Sequence, residues 1–585
     1  MKILLFLASL AALMVTTSLA HAVNPVPFVN QPLVPGGVAP GSSGFTLTVN
    51  GTGFVSGSVV NWNGSARATV FVNGSKLTAT ILSSDLATVG TATVTVSSPA
   101  PGGGKSNSVL FNITYPTSSA ALGGTNYTET NGAGFIALGD LNGDGNQDVA
   151  IVNGTSDVLV VRLGNADGTF GPEGQPYPVG VQAMQPTIAD FNGDGKLDVA
   201  VANQNCLSIP CPSGSVSILL GNGDGTFQPQ TQVSTAPGPT QVAVGDFNAD
   251  GRLDLAVAAY ADTNSGPSNG TMVSILLGNG DGTFGPHVDY TAGTGVAAVV
   301  IDDFNKDGKL DLAVVNETCP GANCTPASFS VLLGNGDGTF QTHQDYVTHG
   351  RGPFYAMTAD FNGDGNADIA VVNSGSVVVL FGNGDGTFNL AGHLYQVPGA
   401  YTGTLADVNG DGIVDIVTAN PVSSNISVLF GKGDGTFETP SNTISRKYPE
   451  FVVAGDFNHD GRIDLVAINI YGEMLTAFLQ STIALNPAGL HFPPQIVGTT
   501  SNPESSTIAN VGGSAVNMMG ISVVGKNAGD FAQSNNCPAS LAPQASCTVT
   551  VTFTPSATGT RKAAVKIADD AVSNPQTLPL SGTGK

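Results

Sequence analysis

The sequence has few basic residues, few cysteines and almost no tryptophan. Its 585 residues include 19 Lys and Arg against 43 Asp and Glu, with six Cys and one Trp, and the formal net charge is −24. So little positive charge argues against a nucleic-acid partner. Helix-period patterns and long apolar runs beyond the first residues are also lacking, so we expect neither a helical bundle nor a transmembrane segment. The abundant Gly, Thr, Val, Ser and Asn are typical of β-structure with many turns.

The first residues resemble an export signal. Lys2 precedes an apolar run over residues 3–15, and Ala20, His21 and Ala22 form a small-x-small cleavage site. The run is too short to span a bilayer comfortably. We therefore expect residues 1–22 to be removed and the protein to be secreted, with the cell surface or the periplasm as alternative locations.

The cysteines fall into three pairs of close neighbours. In an exported chain such pairs favour disulfides over zinc ligation, because no His and no second Cys pair lies nearby in the sequence. The predicted disulfide pairs are Cys206/Cys211, Cys319/Cys324 and Cys537/Cys547.

An acidic pattern, Asp-x-Asn-x-Asp-Gly-x-x-Asp, occurs seven times at intervals of 47 to 57 residues. A strand pattern precedes and follows each copy, and a third strand leads into a hairpin, usually Gly-Asn-Gly-Asp-Gly-Thr-Phe. With a fourth strand, each repeat has the strand content of one propeller blade. The copies begin at Asp140, Asp190, Asp246, Asp303, Asp360, Asp407 and Asp456.

The two ends of this array predict a closed ring. The seventh repeat lacks a fourth strand, whereas a strand pattern around Tyr127 precedes the first loop with no third strand before it. Tyr127 lies 13 residues before Asp140, as Tyr177 does before Asp190. Pairing the segment around Tyr127 with the seventh repeat would close the ring and remove its exposed edges.

The alternating carboxylates and amides of each loop predict a calcium site, because Ca²⁺ takes six to eight oxygen ligands. Positions 1, 3, 5 and 9 would ligate through side chains. Position 7 varies among Asn, Lys, Arg and Ile, so its contribution would be the backbone carbonyl. An EF-hand is excluded because position 12 is never Glu, and Mg²⁺ fits less well because of its strict octahedral geometry. The alternative is a turn in which Asp and Asn only cap backbone amides.

We thus expect up to seven structural Ca²⁺ ions, each joining two strands of a blade. The predicted ligands, loop by loop, are Asp140, Asn142, Asp144, Asn146 and Asp148; Asp190, Asn192, Asp194, Lys196 and Asp198; Asp246, Asn248, Asp250, Arg252 and Asp254; Asp303, Asn305, Asp307, Lys309 and Asp311; Asp360, Asn362, Asp364, Asn366 and Asp368; Asp407, Asn409, Asp411, Ile413 and Asp415; Asp456, Asn458, Asp460, Arg462 and Asp464.

Three resemblances organise the chain. The 1-3-5-7-9 spacing between two strands resembles the FG-GAP/VCBS repeats of integrin-like propellers. Residues 45–63 resemble IPT/TIG immunoglobulin-like domains, and the run from Phe553-Thr-Pro to the Leu580-Ser-Gly-Thr-Gly ending resembles hydin-type immunoglobulin-like domains. The expected fold is all-β, a seven-bladed β-propeller over residues 117–481 flanked by immunoglobulin-like β-sandwiches over 23–116 and 482–585, which would space or present the propeller. Trp62 is expected to pack, although a sugar-stacking role is an alternative.

No catalytic motif is evident. The hairpins lack the Lys-Ser/Thr and the helix of a phosphate-binding loop, and none of the histidines of the mature chain lies in a known catalytic context. We expect a monomeric adhesion or recognition module that binds an extracellular protein or glycan, and no enzyme. A secreted polysaccharide hydrolase or lyase is the alternative. The histidines considered are His287, His343, His349, His393, His459 and His491.

Overall fold

The computed structural model describes most of the chain beyond the expected signal. The described residues are 23–117, 122–130, 132, 134–153, 155–205, 213–260, 271–317, 328–348, 350–389, 392–444, 448–470, 474–480, 482–487, 489–512, 515–571 and 576–585. The predictions on the signal, on the pairs Cys206/Cys211 and Cys319/Cys324 and on His349 lie outside them. Within these ranges the helices are two short 3-10 turns, Ser83–Leu86 and Ala528–Asp530, and no helix could cross a membrane.

The N-terminal part forms two facing sheets, here called the N-terminal sandwich. Its core includes Leu47, Leu77 and Phe111. Trp62 is 2% exposed, and its ring centroid lies 5.0 Å from that of Phe111, so it packs in the core as expected. One sheet contains Phe28–Val29, Phe45–Thr52, Lys76–Ile81 and Thr69–Asn73; the other contains Gly37–Val38, Val109–Ile113, Gly90–Ser98, Val59–Trp62, Ser65–Ala66 and Gly104–Lys105.

Seven four-stranded antiparallel sheets follow in the described part of the chain. We call them blades 1 to 7 and number each acidic loop after its blade. In order, the strands are Phe135–Gly139, Asp148–Asn153, Val158–Arg162 and Tyr177–Pro178; Ala183–Ala189, Asp198–Asn203, Gly214–Leu219 and Thr231–Thr235; Pro239–Gly245, Asp254–Ala259, Met272–Leu276 and Val288–Thr291; Val296–Asp302, Asp311–Asn316, Ser328–Leu332 and Gln344–Val347; Pro353–Ala359, Asp368–Asn373, Ser376–Leu380 and His393–Gln396; Thr402–Ala406, Asp415–Asn420, Asn425–Leu429 and Ser441–Ile444; Pro449–Gly455, Asp464–Asn469, Met474–Gln480 and Leu122–Thr128.

The ring is closed by the strand that comes first in the sequence. Leu122–Thr128 pairs antiparallel with Met474–Gln480 of blade 7, with Tyr127 opposite Leu475. The first strands of successive blades contact one another, and the first strand of blade 7 contacts that of blade 1. The pairing predicted around Tyr127 is therefore confirmed, and the repeats form a β-propeller whose first strands surround a central channel.

Apolar side chains between adjacent blades supply the propeller core. The second strand of every blade is buried over its whole length, because blades cover both of its faces. Val149 and Ile151 of blade 1 share one cluster with Val466 and Ile468 of blade 7. Burial on both faces explains why these segments have almost continuous apolar runs after their first Asp.

The C-terminal part also forms two facing sheets around one core. Cys537 and Cys547 form a disulfide with an S–S distance of 2.00 Å, which confirms that prediction. One sheet contains Ile483–Asn486, Glu504–Asn510, Ser546–Phe553 and Phe531–Asn535; the other contains Leu490–His491, Gln576–Gly584, Gly559–Asp569, Val516–Val524 and Ser540–Leu541. Membership of both sandwiches in the immunoglobulin-like families stays a prediction.

Candidate functional site: the acidic loops and the channel mouth

The acidic loops and the glycine-rich hairpins lie at the same end of the propeller. Each loop joins the first strand of a blade to the second, and each hairpin joins the third to the fourth. In an antiparallel sheet these two connections lie at the same end of the strands. The second-to-third connections and the connections between blades lie at the opposite end. We call the two ends the loop face and the open face.

The first carboxylate of each loop organises the loop backbone. In loop 1, Asp140 Oδ1 accepts hydrogen bonds from the amides of Gly143 at 2.8 Å and Asp144 at 3.1 Å, and Oδ2 accepts one from Gly145 at 2.9 Å. Gly145 has φ of 89°, a left-handed conformation that favours glycine. Asn142 Oδ1 accepts the amide of Asp144 at 2.9 Å. These side chains thus cap backbone amides, as the turn alternative requires, and this use does not consume all their lone pairs.

The last carboxylate of each loop is buried, and in blades 1 to 6 it joins the loop to the hairpin of its own blade. Asp148 Oδ2 accepts the amide of Leu141 at 2.9 Å, and Oδ1 accepts the amide of Gly164 at 2.8 Å. Burial, reinforced by the charges of the loop's other aspartates, raises the pKa of Asp311 and of Asp415 to about 8. All seven are 0% exposed: Asp148, Asp198, Asp254, Asp311, Asp368, Asp415 and Asp464.

The donor set of the loops fits a hard divalent cation. Each loop contains at least three carboxylates and one side-chain amide in nine residues. Burial, with a smaller contribution from the charges of Asp303 and Asp307, raises the pKa of Asp311. Lys309 at position 7 places Nζ 3.1 Å from Asp307 Oδ2, so its side chain is a counter-ion and only its carbonyl could ligate. Among the described residues, no group of three or more His, Cys, Asp or Glu side chains already converges as metal ligands.

Each hairpin also fastens its blade to the preceding one. Phe340 of blade 4 packs against Phe247 of loop 3, with ring centroids 5.6 Å apart, and the amide of Gly338 donates to the Phe247 carbonyl at 3.0 Å. Phe388 of blade 5 contacts Phe304 of loop 4 in the same way, at 5.5 Å. The hairpins therefore act as turns that join blades, and the phosphate-loop interpretation is not needed.

A buried polar network near the open face was missed by sequence reasoning. In blade 2, Asn203 Nδ2 donates to the hydroxyls of Ser215 at 3.1 Å and Ser217 at 3.0 Å, and Asn203 Oδ1 accepts the amide of Gly180 at 3.0 Å. Gly180 follows blade 1, so the network joins two blades. The available signal was an Asn at the end of the second strand in six of the seven repeats: Asn153, Asn203, Asn316, Asn373, Asn420 and Asn469.

The N-terminal sandwich lies on the loop face. The amide of Val26 donates to Asp246 Oδ2 in loop 3 at 2.8 Å, and Asn112 Nδ2 donates to the Asp407 carbonyl in loop 6 at 2.9 Å. The amide of Asp360 in loop 5 donates to the Gln31 carbonyl at 3.1 Å. The sandwich therefore contacts several acidic loops directly, and its expected role in spacing or presenting the propeller stays a prediction.

The open face breaks the sevenfold repetition at the mouth of the channel. The residue six positions before each acidic loop lies at the start of the first strand. In blades 2, 3, 4, 5 and 7 this residue falls in a register shift between the first and second strands. Blades 1 to 4 carry small or apolar residues or Thr here, and blades 5 to 7 carry Phe, Tyr and Glu. The seven residues are Gly134, Met184, Thr240, Ala297, Phe354, Tyr401 and Glu450.

Two rings and two carboxylates meet on this side of the mouth. The ring centroids of Phe354 and Tyr401 are 4.7 Å apart. Burial, with the charges of Glu450 and Glu317, raises the pKa of Tyr401 to about 12. Burial also raises the pKa of Glu450 to about 7 and raises that of Glu317. No ion pair joins either glutamate to a basic residue in the described ranges.

The channel is crossed one residue deeper. Gln185 of blade 2 donates from Nε2 to the Tyr355 hydroxyl of blade 5 at 3.3 Å. This hydrogen bond spans the channel below the mouth. Two of the described histidines have partners elsewhere: His343 and His459 bond Asp345 and Asn146.

The chain contains FG-GAP-like repeats, matched over residues 140–201, 206–257, 322–371, 360–418 and 407–467. No curated protein matches the chain. Similar solved structures include an N-acetylglucosamine-recognising lectin of Agrocybe aegerita (17% identity, 66% of this chain and 96% of that chain, TM-score 0.37). Others are an auxiliary nutrient binding protein of Bacteroides ovatus (11%, 78% and 98%, 0.34) and a putative phosphatase of Bacteroides thetaiotaomicron (14%, 78% and 97%, 0.31).

Proposed function

We propose that the protein is a secreted recognition module that binds an extracellular protein or glycan at the channel mouth on the open face. The observation that carries the proposal is the asymmetry of the mouth. A ring built only for stability needs no difference between blades at equivalent positions, yet Phe354, Tyr401 and Glu450 occupy three adjacent blades where the others carry smaller or uncharged side chains. Function resides in such local departures from a repeated scaffold.

The arrangement of the domains supports the open face as the binding surface. The N-terminal sandwich occupies part of the loop face. The second-to-third connections lie at the opposite end, on the open face, as between Asn373 and Ser376 of blade 5. Connections on a rigid scaffold are frequent carriers of binding residues.

The chemistry of the mouth selects for ligands that present hydrogen-bond donors beside an apolar face. The rings of Phe354 and Tyr401 offer stacking surfaces. The carboxylates of Glu317 and Glu450 can accept hydrogen bonds, and among the described residues neither forms an ion pair. A sugar ring presents hydroxyl groups and an apolar C–H face. A basic side chain presents N–H donors and a positive charge that can lie over the face of an aromatic ring. Both belong to the proposed ligand classes.

We further propose that Ca²⁺ in the acidic loops is structural. The loops supply oxygen ligands of the required types, and their three carboxylates repel one another. Burial is the main cause of the raised pKa of Asp311, and the charges of Asp303 and Asp307 add to it. A cation would compensate this repulsion and hold the first two strands of each blade together.

The test is retention of immobilised glycans and of extracellular proteins by the purified chain, with the double variant Phe354→Ala/Tyr401→Ala as the probe of the site. We expect the variant to lose binding by at least about tenfold, since buried aromatic anchors dominate such sites. Phe71→Ala is the matched control, because Phe71 is an exposed ring on the N-terminal sandwich. Full binding by the double variant would contradict the proposed site.

The same mouth supports one alternative, a polysaccharide hydrolase or lyase. A carboxyl whose pKa is about 7, Glu450, lies on the same side of the mouth as a second glutamate, Glu317, and such a pair can supply a general acid and a general base. Reducing-sugar release from a retained polysaccharide, abolished by Glu450→Gln, would establish the enzyme. Binding without release would leave the recognition module as the function.

A further inference from the structure

Loop 6 receives a side chain from another domain. Asn112 belongs to strand Val109–Ile113 of the N-terminal sandwich and is 4% exposed. Its Nδ2 donates to the Asp407 carbonyl at 2.9 Å and to Asp407 Oδ2 at 3.2 Å. Asp407 is the first carboxylate of loop 6, so the amide group of Asn112 lies against a predicted cation ligand.

The oxygen of the same amide has no hydrogen-bond partner in the described structure, although it is buried. Leaving a buried carbonyl oxygen unpaired is unfavourable. Rotation of the amide by 180° about its last bond exchanges oxygen and nitrogen with almost no change in shape. The exchanged oxygen would face the Asp407 carboxylate, an arrangement that is favourable only with a cation between the two groups.

Around Asn112 and Asp407, the sandwich and loop 6 are in close contact, and a cavity lies beside that contact. The sandwich backbone lies directly on loop 6, since a Cβ added to Gly36 would lie 2.1 Å from the Gly412 carbonyl oxygen. A cavity of about 230 Å³ adjoins the contact, and Gln31, Asn112 and Asp407 are among its lining residues. By contrast, a Cβ on Gly195 of loop 2 would meet nothing within 4 Å, so loop 2 is open there.

We propose that Asn112 Oδ1 is a ligand of the cation held by loop 6, so that this one site is shared between the propeller and the N-terminal sandwich. The inference rests on the proposed calcium role and assigns a ligand from outside the repeats. Because the ligand belongs to a second domain, cation binding at loop 6 and docking of the sandwich stabilise each other by the same factor. Calcium would thus fasten the sandwich to the loop face.

The deciding variant is Asn112→Asp, which keeps an oxygen ligand and loses the N–H donor. The measurement is hydrogen exchange of residues 24–38 and 109–114 in Ca²⁺ and in chelator, with calcium content determined on the same samples. In Ca²⁺ we expect exchange as slow as in the unaltered protein. In chelator we expect it to be about tenfold faster than that of the unaltered protein, because the new carboxylate then faces Asp407 without a cation.

Asn112→Leu removes the ligand and should weaken docking in Ca²⁺, with about tenfold lower calcium affinity at one site. Asn73→Asp is the matched control, since Asn73 lies in an exposed turn where its side chain accepts from Ser75, and it should change neither quantity. Exchange of residues 369–372 in the blade 5 core reports that each variant is folded.

The inference is overturned if Asn112→Asp weakens docking equally in Ca²⁺ and in chelator, because Asn112 would then act only as the donor to Asp407. Failure of the calcium proposal is distinguishable. In that case the unaltered protein would bind no calcium, and no variant would respond to chelator.

Discussion

Single buried polar residues join the blades of this propeller. Asn203 lies 0% exposed at the end of a second strand and bonds two hydroxyls of the neighbouring strand and one backbone amide from the end of blade 1. An equivalent network in blade 4 runs from Asn316 to Ser330 and on to Asp345. Asn203 and Ser217 are fully buried, so loss of the Asn203 side chain removes several hydrogen bonds of the network at once.

We predict that Asn203→Ala destabilises the protein by about 1–3 kcal/mol, since the variant loses the buried hydrogen bonds to Ser215, Ser217 and the Gly180 amide. Asn222→Ala is the control, because Asn222 lies in an exposed hairpin and bonds only within that turn. It should change stability by no more than about 0.5 kcal/mol. Urea denaturation followed by circular dichroism of the β-structure measures both, and equal losses would show that the network is not the cause.

At the scale of elements, the single strand Leu122–Thr128 closes the ring of blades. It is the outer strand of blade 7, and through it the segment before the first loop is fixed to the last repeat. The hydroxyl of Thr476 in blade 7 donates to Asn126 Oδ1 at 2.9 Å, so this strand also completes a polar network. The outer strands of the other blades close no ring.

We predict that Thr125→Pro/Asn126→Pro lowers the melting temperature more than Val288→Pro/Asp289→Pro does. The two pairs occupy equivalent exposed positions in outer strands, and each removes ladder hydrogen bonds. Only the first pair opens the ring and exposes an edge of blade 7. Calorimetry of the full chain provides the comparison; similar shifts for both variants would argue against closure as a source of stability.

At the scale of the whole molecule, the acidity of the chain is concentrated in the loops. Three aspartates in each of seven loops account for 21 of the 43 acidic residues. Seven of these 21 are fully buried at the start of the second strands. The stability of the propeller should therefore depend on what compensates this charge.

We predict that chelation lowers the melting temperature and makes it pH-dependent. Without a cation, the folded-state pKa of Asp311 and of Asp415 is about 8 against 3.8 in the unfolded chain, so the folded state holds protons that the unfolded state releases. Stability in chelator should then fall as the pH rises from about 5 to 8.5. Ca²⁺ at 100 times its Kd should add about 2.7 kcal/mol per site and restore stability at high pH.

Thermal melts at several pH values, with Ca²⁺ and with chelator, measure this effect. Mg²⁺ at the same concentration is the control for nonspecific charge screening and should restore less stability, because the loops suit a larger, more flexible coordination shell. Unchanged melting in excess chelator would contradict structural calcium in the loops.

The sequence by itself determined the all-β fold, the acidic loops and the ring closure. Each depends on a local pattern. The strands show their period, the turn residues recur at fixed spacing, and the seventh repeat lacks a fourth strand while the strand around Tyr127 lacks a partner in its own repeat. The disulfide Cys537–Cys547 was predictable for the same reason, since its cysteines are close in the chain.

Only the tertiary structure decided which side chains meet across long separations. Asn112 and Asp407 are 295 residues apart, and Gln185 and Tyr355 are 170 apart. Phe354, Tyr401 and Glu450 lie in variable positions, and no local pattern marks them before the ring brings them to one side of the channel mouth. The acidic loops could be predicted from the sequence because their carboxylate and amide residues are close together in the chain. The covered loop face and the channel mouth are formed by packing between distant segments, so they required the fold.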